Sequence, residues 1–243
     1  MHSDVAVIIP SRLGSERLSQ KPLQLIGDIP MIQHVVDSIK LTGLKNIYVA
    51  TDSELIADKV KERSVEFIMT SEHCTSGTDR VFEAFGKIKD NDNINYVVNV
   101  QGDMPFVKPE AILNVIESLK NSYYGITTPV AKVGMGVAEG DSNVKVVITH
   151  DGKALYFSRN LIPYGAKEFL YHVGVYGFRK DVLSTFVGLP QSVLEKSERL
   201  EQLRALENGI DIGVCYVNDI PISVDTPEDL AKAIEFYHQY IKK

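Results

Sequence analysis

The alternation of short apolar runs with amphipathic segments constrains the fold of this 243-residue chain more than any other feature. The apolar runs are "VAVIIP", "NIYVATD", "VEFIMT" and "YVVNVQ", and each is followed by a segment with helical periodicity. Those segments are "PMIQHVVDSIKLTG", "SELIADKVKERS", "GTDRVFEAFGKIK" and "KPEAILNVIESLKN". These strand–helix repeats predict an α/β fold with a doubly wound, mainly parallel sheet.

The second half of the chain has a different pattern. Strand-like runs separated by turns occur at "GITTPVAKV", "NVKVVITH", "KALYFSR" and "YHVGVYGFR", which favours antiparallel or mixed sheet. Helical periodicity returns at "SERLEQLRALENG" and "TPEDLAKAIEFYHQYIKK". Because no Pro/Ser/Gly-rich linker interrupts the chain, we predict a single domain, 1–243, with a smaller β-rich lobe at about 125–200.

Composition and charge exclude several classes of partner. The net charge of −6 gives no general attraction to nucleic acid or to an anionic membrane. No stretch approaches the roughly 18 apolar residues of a membrane span. Cys74 and Cys215 are the only cysteines and have no metal-ligand spacing, so neither a disulfide framework nor a zinc site is expected. We therefore expect a cytoplasmic protein.

Three cations follow the first strand within one short loop, in "VAVIIPSRLGSERLSQKPL". Ligands of open α/β sheets bind beyond the carboxyl ends of strands, which is where this loop lies. Backbone amides near Gly14 suit phosphate oxygens, and Arg12, Arg17 and Lys21 suit their charge. The chain has neither GxxxxGK[ST] nor GxGxxG, which excludes a Walker loop and an ordinary dinucleotide-binding turn. A solvated surface loop is the alternative.

Two aspartates are predicted at the same edge of the sheet. Asp103 in "VNVQGDMPFV" and Asp225 in "ISVDTPEDL" each follow an apolar strand. Mg²⁺ takes hard oxygen ligands and often only one or two carboxylates, with phosphates and water completing the shell. Helix capping is the alternative for Asp225, and a turn position is the alternative for Asp103. Beside a phosphate-binding loop, the two form a candidate Mg²⁺ pair.

These motifs, in this order, resemble the nucleotidyltransferases that activate sugars, and most nearly the cytidylyltransferases for 3-deoxy-D-manno-octulosonate (Kdo). The resemblance runs from about Val5 to about Leu230 and departs from the family pattern at a few positions. Ser11 replaces an Ala, Ser19-Gln20 stands where the family usually has Pro-Gly, and Met104 replaces a Glu. The resemblance implies a nucleotide-diphospho-sugar transferase-like, Rossmann-like fold, CTP and Kdo as substrates, Mg²⁺ as cofactor, a homodimer, and a role in lipopolysaccharide biosynthesis.

The resemblance also implies roles for residues of the first half and for Asp225. Asp103 and Asp225 would bind the metal. "TSGTDR" is similar to the family's cytosine- and sugar-proximal segment. The similarity implies that Ser76 and Gly77 contact the base and that Arg80 lies on the substrate side of the cleft. Helix capping is an equally good explanation for Ser76. The implied catalytic residues are Arg12, Lys21, Asp103 and Asp225. The implied nucleotide-binding residues are Arg12, Gly14, Arg17, Lys21, Ser76, Gly77 and Gln101.

The second half would supply the sugar side. Arg159 follows an apolar strand and could pair with a sugar carboxylate, and His172 and Tyr176 would share one face of a strand. Core packing is the alternative for the His and the Tyr, and a solvated helix face is the alternative for Glu201 and Gln202. The resemblance implies that the substrate-binding residues are Arg80, Gln101, Arg159, His172, Tyr176, Glu201 and Gln202.

The implied reaction is attack by the anomeric hydroxyl of Kdo on the α-phosphorus of CTP, which gives CMP-Kdo and pyrophosphate. Three alternatives remain open at this point. They are an 8-amino-Kdo cytidylyltransferase, a cytidylyltransferase for another acid sugar such as a sialic acid, and a catalytically inactive nucleotide-binding protein.

Overall fold

The computed structural model describes residues 2–15, 17–140 and 142–242. In chain order the strands are β1 (Val5–Ser11), β2 (Leu25–Ile26), β3 (Ile29–Pro30), β4 (Ile47–Thr51), β5 (Glu66–Met69), β6 (Tyr96–Val100), β7 (Ile126–Gly134), β8 (Lys145–Ile148), β9 (Ala154–Ser158), β10 (Glu168–His172), β11 (Val175–Arg179) and β12 (Ile212–Tyr216). The helices are α1 (Met31–Lys40), α2 (Glu54–Lys61), α3 (Gly77–Lys87), α4 (Pro109–Asn121), α5 (Met135–Ala138), α6 (Lys180–Val187), α7 (Val193–Glu198), α8 (Leu203–Glu207) and α9 (Pro227–Phe236).

The chain forms two compact units. The first contains the residues up to Asn95, Asn99–Pro109 and the residues from Pro221 onward. The second contains Tyr96–Val98 and Glu110–Ile220, so β6 contributes residues to both. The single domain with a lobe at about 125–200 stays a prediction.

The first unit is built on parallel strands in the order β5-β4-β1-β6. β1 pairs with β4 in parallel, with Ile9 opposite Val49, and β4 pairs in the same sense with β5. Every residue of β1 is buried, as expected of a strand covered on both faces. The four strand–helix repeats predicted from the first half are all present.

The opening loop is fixed to the core of this unit by Leu18. Its side chain packs in a buried cluster with Ile26, Met31, Val224 and Ala233. Val224 lies two residues before the Thr226 cap of α9, and Met31 begins α1. The loop is therefore held by apolar contacts as well as by its charges.

The second unit is mainly antiparallel, with the order β6-β11-β7-β10-β8-β9. β7 pairs antiparallel with β10 and β11, and β8 pairs antiparallel with β9. β12 is the exception, because it runs parallel to β7. Among the described residues, no helix is both long enough and apolar enough to cross a membrane.

Two predicted elements are wrong. "YHVGVYGFR" is divided into two strands that both run antiparallel to β7, with an interruption at Val173–Gly174 where the Val175 amide donates to the Val173 carbonyl (2.7 Å). "SERLEQLRALENG" is likewise not one helix, because its first two residues end α7 and the helix resumes only at Leu203 as α8. Arg199 lies between them with φ of 55°, a left-handed conformation that cannot continue a right-handed helix.

Gln20 generates a stability prediction, because it precedes Lys21 in a left-handed conformation with φ of 48° and ψ of 40°. A β-carbon there costs about 1 kcal/mol that glycine avoids. We expect Gln20→Gly to have a free energy of unfolding about 0.5–1 kcal/mol above that of Gln20→Ala, which keeps the β-carbon. Urea denaturation measures both, and a Gly variant no more stable than the Ala variant contradicts the prediction.

Candidate active site

A cavity of about 380 Å³ lies in the first unit, where β1 and β6 end and α3 begins. Loops that follow parallel strands form its walls, as expected for a ligand site of an α/β sheet. The lining residues are Pro10, Ser11, Arg12, Gly14, Ser15, Arg17, Lys21, Pro22, Cys74, Thr75, Ser76, Gly77, Arg80, Gln101, Gly102, Asp103 and Asp225. They include every candidate that the sequence analysis placed in this unit.

A three-way contact between Lys21, Asp103 and Asp225 lies in this cavity. Lys21 Nζ donates to Asp103 Oδ2 and to Asp225 Oδ1, both at 2.9 Å. Arg17 Nη2 also lies 3.1 Å from Asp225 Oδ1. The cap of α9 is Thr226 rather than Asp225, because the Thr226 side chain accepts from the Asp229 amide. Helix capping therefore does not account for the Asp225 carboxylate.

This contact shifts the pKa values of two of its members. Burial alone would lower the pKa of Lys21, but the charges and hydrogen bonds of Asp103 and Asp225 outweigh it and raise that pKa above 10.5. Burial would raise the pKa of Asp225, but Lys21 and Arg17 outweigh it and lower that pKa below 3.8. The stabilisation from Asp225 is present above its ordinary pKa and lost as pH falls through the depressed one. The stabilisation from Lys21 is lost as pH rises through its raised pKa.

The ligand atoms that Asp103 and Asp225 offer fit Mg²⁺. Asp103 and Asp225 offer hard carboxylate oxygens that already share one cation, the Lys21 ammonium group. In the described part of the chain no cluster of three or more His, Cys, Asp or Glu side chains could hold a metal by itself. Two carboxylates suit an ion whose remaining ligands are phosphate oxygens and water.

The opening loop is also anchored by Asp52, which the sequence analysis missed. Asp52 Oδ1 accepts from the Leu13 amide (3.1 Å), and Asp52 Oδ2 accepts from Arg80 Nη2 (2.9 Å). Arg80 Nη1 donates to Thr70 Oγ1 (2.6 Å), and the Arg80 side chain is only 3% exposed. Two of the Arg80 guanidinium nitrogens are therefore engaged in hydrogen bonds with Asp52 and Thr70, which fix the position of the side chain in the wall of the cavity. Asp52 directly follows β4, and this strand-end position is the signal that could have revealed it.

A polar network lines the cavity near the start of α3. Ser76 caps this helix, since its hydroxyl accepts from the Asp79 amide and the Asp79 carboxylate accepts from the Ser76 amide. Gln101 Nε2 donates to Asn99 Oδ1 (3.1 Å), which orients the Gln101 amide. Gly102 is needed for space, because a β-carbon there would lie 2.8 Å from the Pro10 carbonyl oxygen. Gly102 is a second position that the sequence analysis did not select.

Cys74 also lines the cavity. Burial, reinforced by a hydrogen bond to Glu83, raises the pKa of its thiol to about 11. A thiol with that pKa is almost entirely protonated at neutral pH and is a poor nucleophile.

In the second unit, His172, Tyr176 and Glu201 are brought together. The rings of His172 and Tyr176 lie 5.3 Å apart, although they are on different strands. The His172 ring is buried beside Phe157, its Nε2 lies 2.9 Å from Thr128 Oγ1, and burial lowers its pKa to about 3. Burial, with the negative charge of Glu201, raises the pKa of Tyr176. Both rings are therefore neutral at physiological pH.

Arg159 and Gln202 have other surroundings in this unit. Arg159 Nε donates to the Glu198 carbonyl (3.2 Å), and Arg159 Nη1 donates to the Ser142 carbonyl (3.1 Å). The Glu198 carboxylate accepts from Ser158 Oγ (2.8 Å) and from the Arg159 amide (3.1 Å), so Glu198 positions the end of β9. Gln202 is 6% exposed, and its buried Nε2 has no hydrogen-bond partner among the described residues.

Comparisons with known proteins agree with this geometry. The model of a family described as Cytidylyltransferase matches residues 6–212. The 3-deoxy-manno-octulosonate cytidylyltransferase of Rickettsia bellii (strain OSU 85-389) is 60% identical over 238 residues, which is 98% of each chain. That of Rickettsia massiliae (strain Mtu5) is 58% identical over 241 residues, which is 99% of this chain and 98% of the relative. The chain belongs to the 3-deoxy-manno-octulosonate cytidylyltransferase family.

A solved structure supports the same assignment for the fold. CMP:2-keto-3-deoxy-manno-octonic acid synthetase complexed with CTP matches with a TM-score of 0.92 and 35% identity, over 98% of this chain and 100% of that one. The predicted family, its nucleotidyltransferase chemistry and the nucleotide-diphospho-sugar transferase-like fold are thereby confirmed. This member of the 3-deoxy-manno-octulosonate cytidylyltransferase family is an enzyme.

Within this family member, the structure groups the predicted site residues in two places. The cavity of the first unit is lined by Arg12, Gly14, Arg17, Lys21, Ser76, Gly77, Arg80, Gln101, Asp103 and Asp225. His172, Tyr176 and Glu201 interact in the second unit. The contacts of Arg159 are instead with backbone carbonyls. The individual roles stay predictions.

The anchor formed by Asp52 generates a stability prediction. Replacing one partner of a buried ion pair leaves the other charge uncompensated, so we expect Asp52→Asn to lower the free energy of unfolding by about 3 kcal/mol. Asp58→Asn is the matched control, because Asp58 pairs with Lys61 at an exposed position and should change stability by less than about 1 kcal/mol. Urea denaturation measures both. Equal losses in the two variants would show that Asp52 is no anchor.

Proposed function

We propose that this chain transfers the cytidylyl group of CTP to Kdo and releases pyrophosphate. The observation that carries the proposal is the Lys21 ammonium group held between Asp103 and Asp225 at the cationic opening loop. This arrangement suits a triphosphate, and membership of the family identifies cytidine and Kdo as the reacting partners. The curated relatives match over nearly their whole length, so the likeness includes both units of the chain.

The chemical step forms one bond and breaks one. The anomeric hydroxyl oxygen of Kdo bonds to the α-phosphorus, the bond from that phosphorus to the bridging oxygen breaks, and pyrophosphate leaves. The hydroxyl proton is released as the new bond forms. Because both substrates are anions, the enzyme must neutralise charge and hold them in line, rather than supply a covalent nucleophile. We assign Arg12, Arg17 and Lys21 to the triphosphate.

We assign Asp103 and Asp225 to a magnesium ion. When bound, Mg²⁺ would neutralise charge on the phosphate oxygens and favour attack at phosphorus. Lys21 is protonated throughout the neutral range, so it is a cation for the phosphates and not a general base. Its ammonium group keeps the two carboxylates together before the nucleotide and its metal arrive.

For the cytosine and its surroundings we assign Ser76, Gly77 and Gln101, and for the phosphates also the amide of Gly14. The hydrogen bond from Gln101 to Asn99 supports this assignment, because it fixes an amide that lines the cavity. The role of Ser76 is restricted to its remaining hydrogen-bonding capacity, since its hydroxyl already caps α3. Arg80 acts through Asp52 and Thr70, and its contact with substrate stays a prediction.

For the acid sugar we assign Arg159, His172, Tyr176, Glu201 and Gln202. A neutral imidazole whose ring contacts that of a neutral tyrosine, with a carboxylate near the tyrosine, suits a ligand with several hydroxyl groups. The unpartnered Nε2 of Gln202 supports the assignment further, because a buried amide donor is stabilised by a ligand oxygen. Arg159 offers the guanidinium group that a sugar carboxylate requires.

We further propose that the protein acts in the cytoplasm, in lipopolysaccharide biosynthesis, as a homodimer without nucleic-acid or membrane partners. The net charge of −6 and the two free cysteines, Cys74 and Cys215, support the cellular assignment.

A pyrophosphate-release assay that combines each of the four common nucleoside triphosphates with Kdo, 8-amino-Kdo and a sialic acid tests the substrates. We expect release with CTP and Kdo to exceed that of every other pair. Preference for 8-amino-Kdo or for sialic acid would replace the proposed sugar. No release with any pair, from protein that still binds CTP, would indicate an inactive nucleotide-binding protein.

Asp103→Asn tests the metal assignment. We expect turnover with Mg²⁺ to fall at least about 100-fold, because loss of the carboxylate weakens binding of the cation that neutralises the phosphates. CTP binding should persist in part. Asp28→Asn is the control, since the Asp28 side chain is 94% exposed and remote from the lining of the cavity. Initial rates over a magnesium titration, with chelator as the zero point, measure the effect. Unchanged turnover in Asp103→Asn would refute the assignment.

A further inference from the structure

Ser11 has a buried hydroxyl group that the proposed reaction leaves without a role. The residue ends β1, is 4% exposed and lines the nucleotide cavity. Its Oγ has no hydrogen-bond partner among the described residues. An unsatisfied buried hydroxyl costs roughly 1–3 kcal/mol, so a group that persists in this state at a ligand cavity suggests a partner in the ligand.

The position of Ser11 identifies which part of a nucleotide it would meet. The next residue is Arg12, assigned to the phosphates. On the other side, the Ser11 hydroxyl lies against Gly102, where a β-carbon on the glycine would be 3.6 Å from it. Gly102 separates Gln101, assigned to the base, from Asp103, assigned to the metal. The hydroxyl therefore lies between the base end and the phosphate end of the cavity, where the pentose of a nucleotide belongs.

We propose that Ser11 Oγ forms a hydrogen bond with one ribose hydroxyl of the bound nucleotide, so that a nucleotide without that hydroxyl loses the contribution of Ser11 to binding. This inference rests on the proposed binding of CTP. The Ser11 hydroxyl is desolvated by folding before the ligand arrives, so the bond forms without a further loss of water from the protein. A hydroxyl both donates and accepts, which suits a ribose hydroxyl with the same capacity.

The test is a binding cycle between wild type and Ser11→Ala, measured by calorimetry with CTP, 2′-deoxy-CTP and 3′-deoxy-CTP. We expect Ser11→Ala to weaken CTP roughly 2- to 12-fold, the range of one neutral hydrogen bond. One of the two deoxy nucleotides should bind both proteins equally, because it lacks the hydroxyl that Ser11 contacts. The other should show the same loss as CTP.

Stability provides a second readout. Removing an unsatisfied hydroxyl should leave the free energy of unfolding of the ligand-free protein unchanged or raise it, while CTP affinity falls. A residue that only supported the fold would lower both. Ser122→Ala is the matched control, because Ser122 also has a buried, unpartnered hydroxyl but lies in the second unit. It should leave all three affinities unchanged.

Two results would overturn the inference. Equal CTP affinity in wild type and Ser11→Ala would show that the hydroxyl makes no contact. An equal loss for CTP and both deoxy nucleotides would place the contact on the base or the phosphates. Neither result touches the proposed function, which fails only if the wild-type protein binds no CTP or releases no pyrophosphate.

Discussion

The Lys21 ammonium group ties together the beginning, the middle and the end of the chain that forms the first unit. Its carboxylate partners lie 82 and 204 residues away in sequence. Without a cation between them, Asp103 and Asp225 would repel, and one would be driven to take up a proton. The two carboxylates proposed to bind a metal are therefore already neutralised in part by a cation of the chain itself. The contact that joins distant parts of the chain thus involves the same side chains as the proposed metal site.

The sequence predicted this site because parallel strands place their carboxyl ends at one edge of a sheet. Arg12, Asp103 and Asp225 follow apolar runs and Lys21 ends the loop that begins at Arg12, so the strand pattern and residue type predicted that they lie together. Asp52 follows a strand at the same edge but belongs to no motif, and its importance arises only from contacts with a distant amide and a distant guanidinium group. The position of a residue at the end of a strand predicts which other residues lie near it. Which of them it bonds to is determined by the tertiary structure.

The second unit was predicted less well for a local reason. An apolar run such as "YHVGVYGFR" fits one long strand. A glycine such as Gly174 within the run can lie inside a continuous strand or interrupt it, and the sequence does not distinguish the two cases. The structure shows an interruption of the strand there without a change of direction, and the rings of His172 and Tyr176 lie 5.3 Å apart. Arg199 offers no comparable signal, because arginine is a good helix former and nothing in its residue type predicts the left-handed conformation that the structure shows. Antiparallel lobes and short helices depend more on such single residues than a repeated strand–helix pattern does.

Three unfavourable features of the first unit lie in or beside its opening loop. Gln20 has a left-handed backbone, the Ser11 hydroxyl is buried without a partner among the described residues, and Lys21 loses hydration. Strained or unsatisfied groups of this kind lower stability, and in proteins they are found most often at ligand sites. The net charge of −6 is no obstacle, since screening restricts it to about 8 Å at physiological salt. In the proposed function, the cations nearest to a triphosphate are Arg12, Arg17 and Lys21 in the lining of the cavity, so the acidic net charge of the whole chain does not argue against that function.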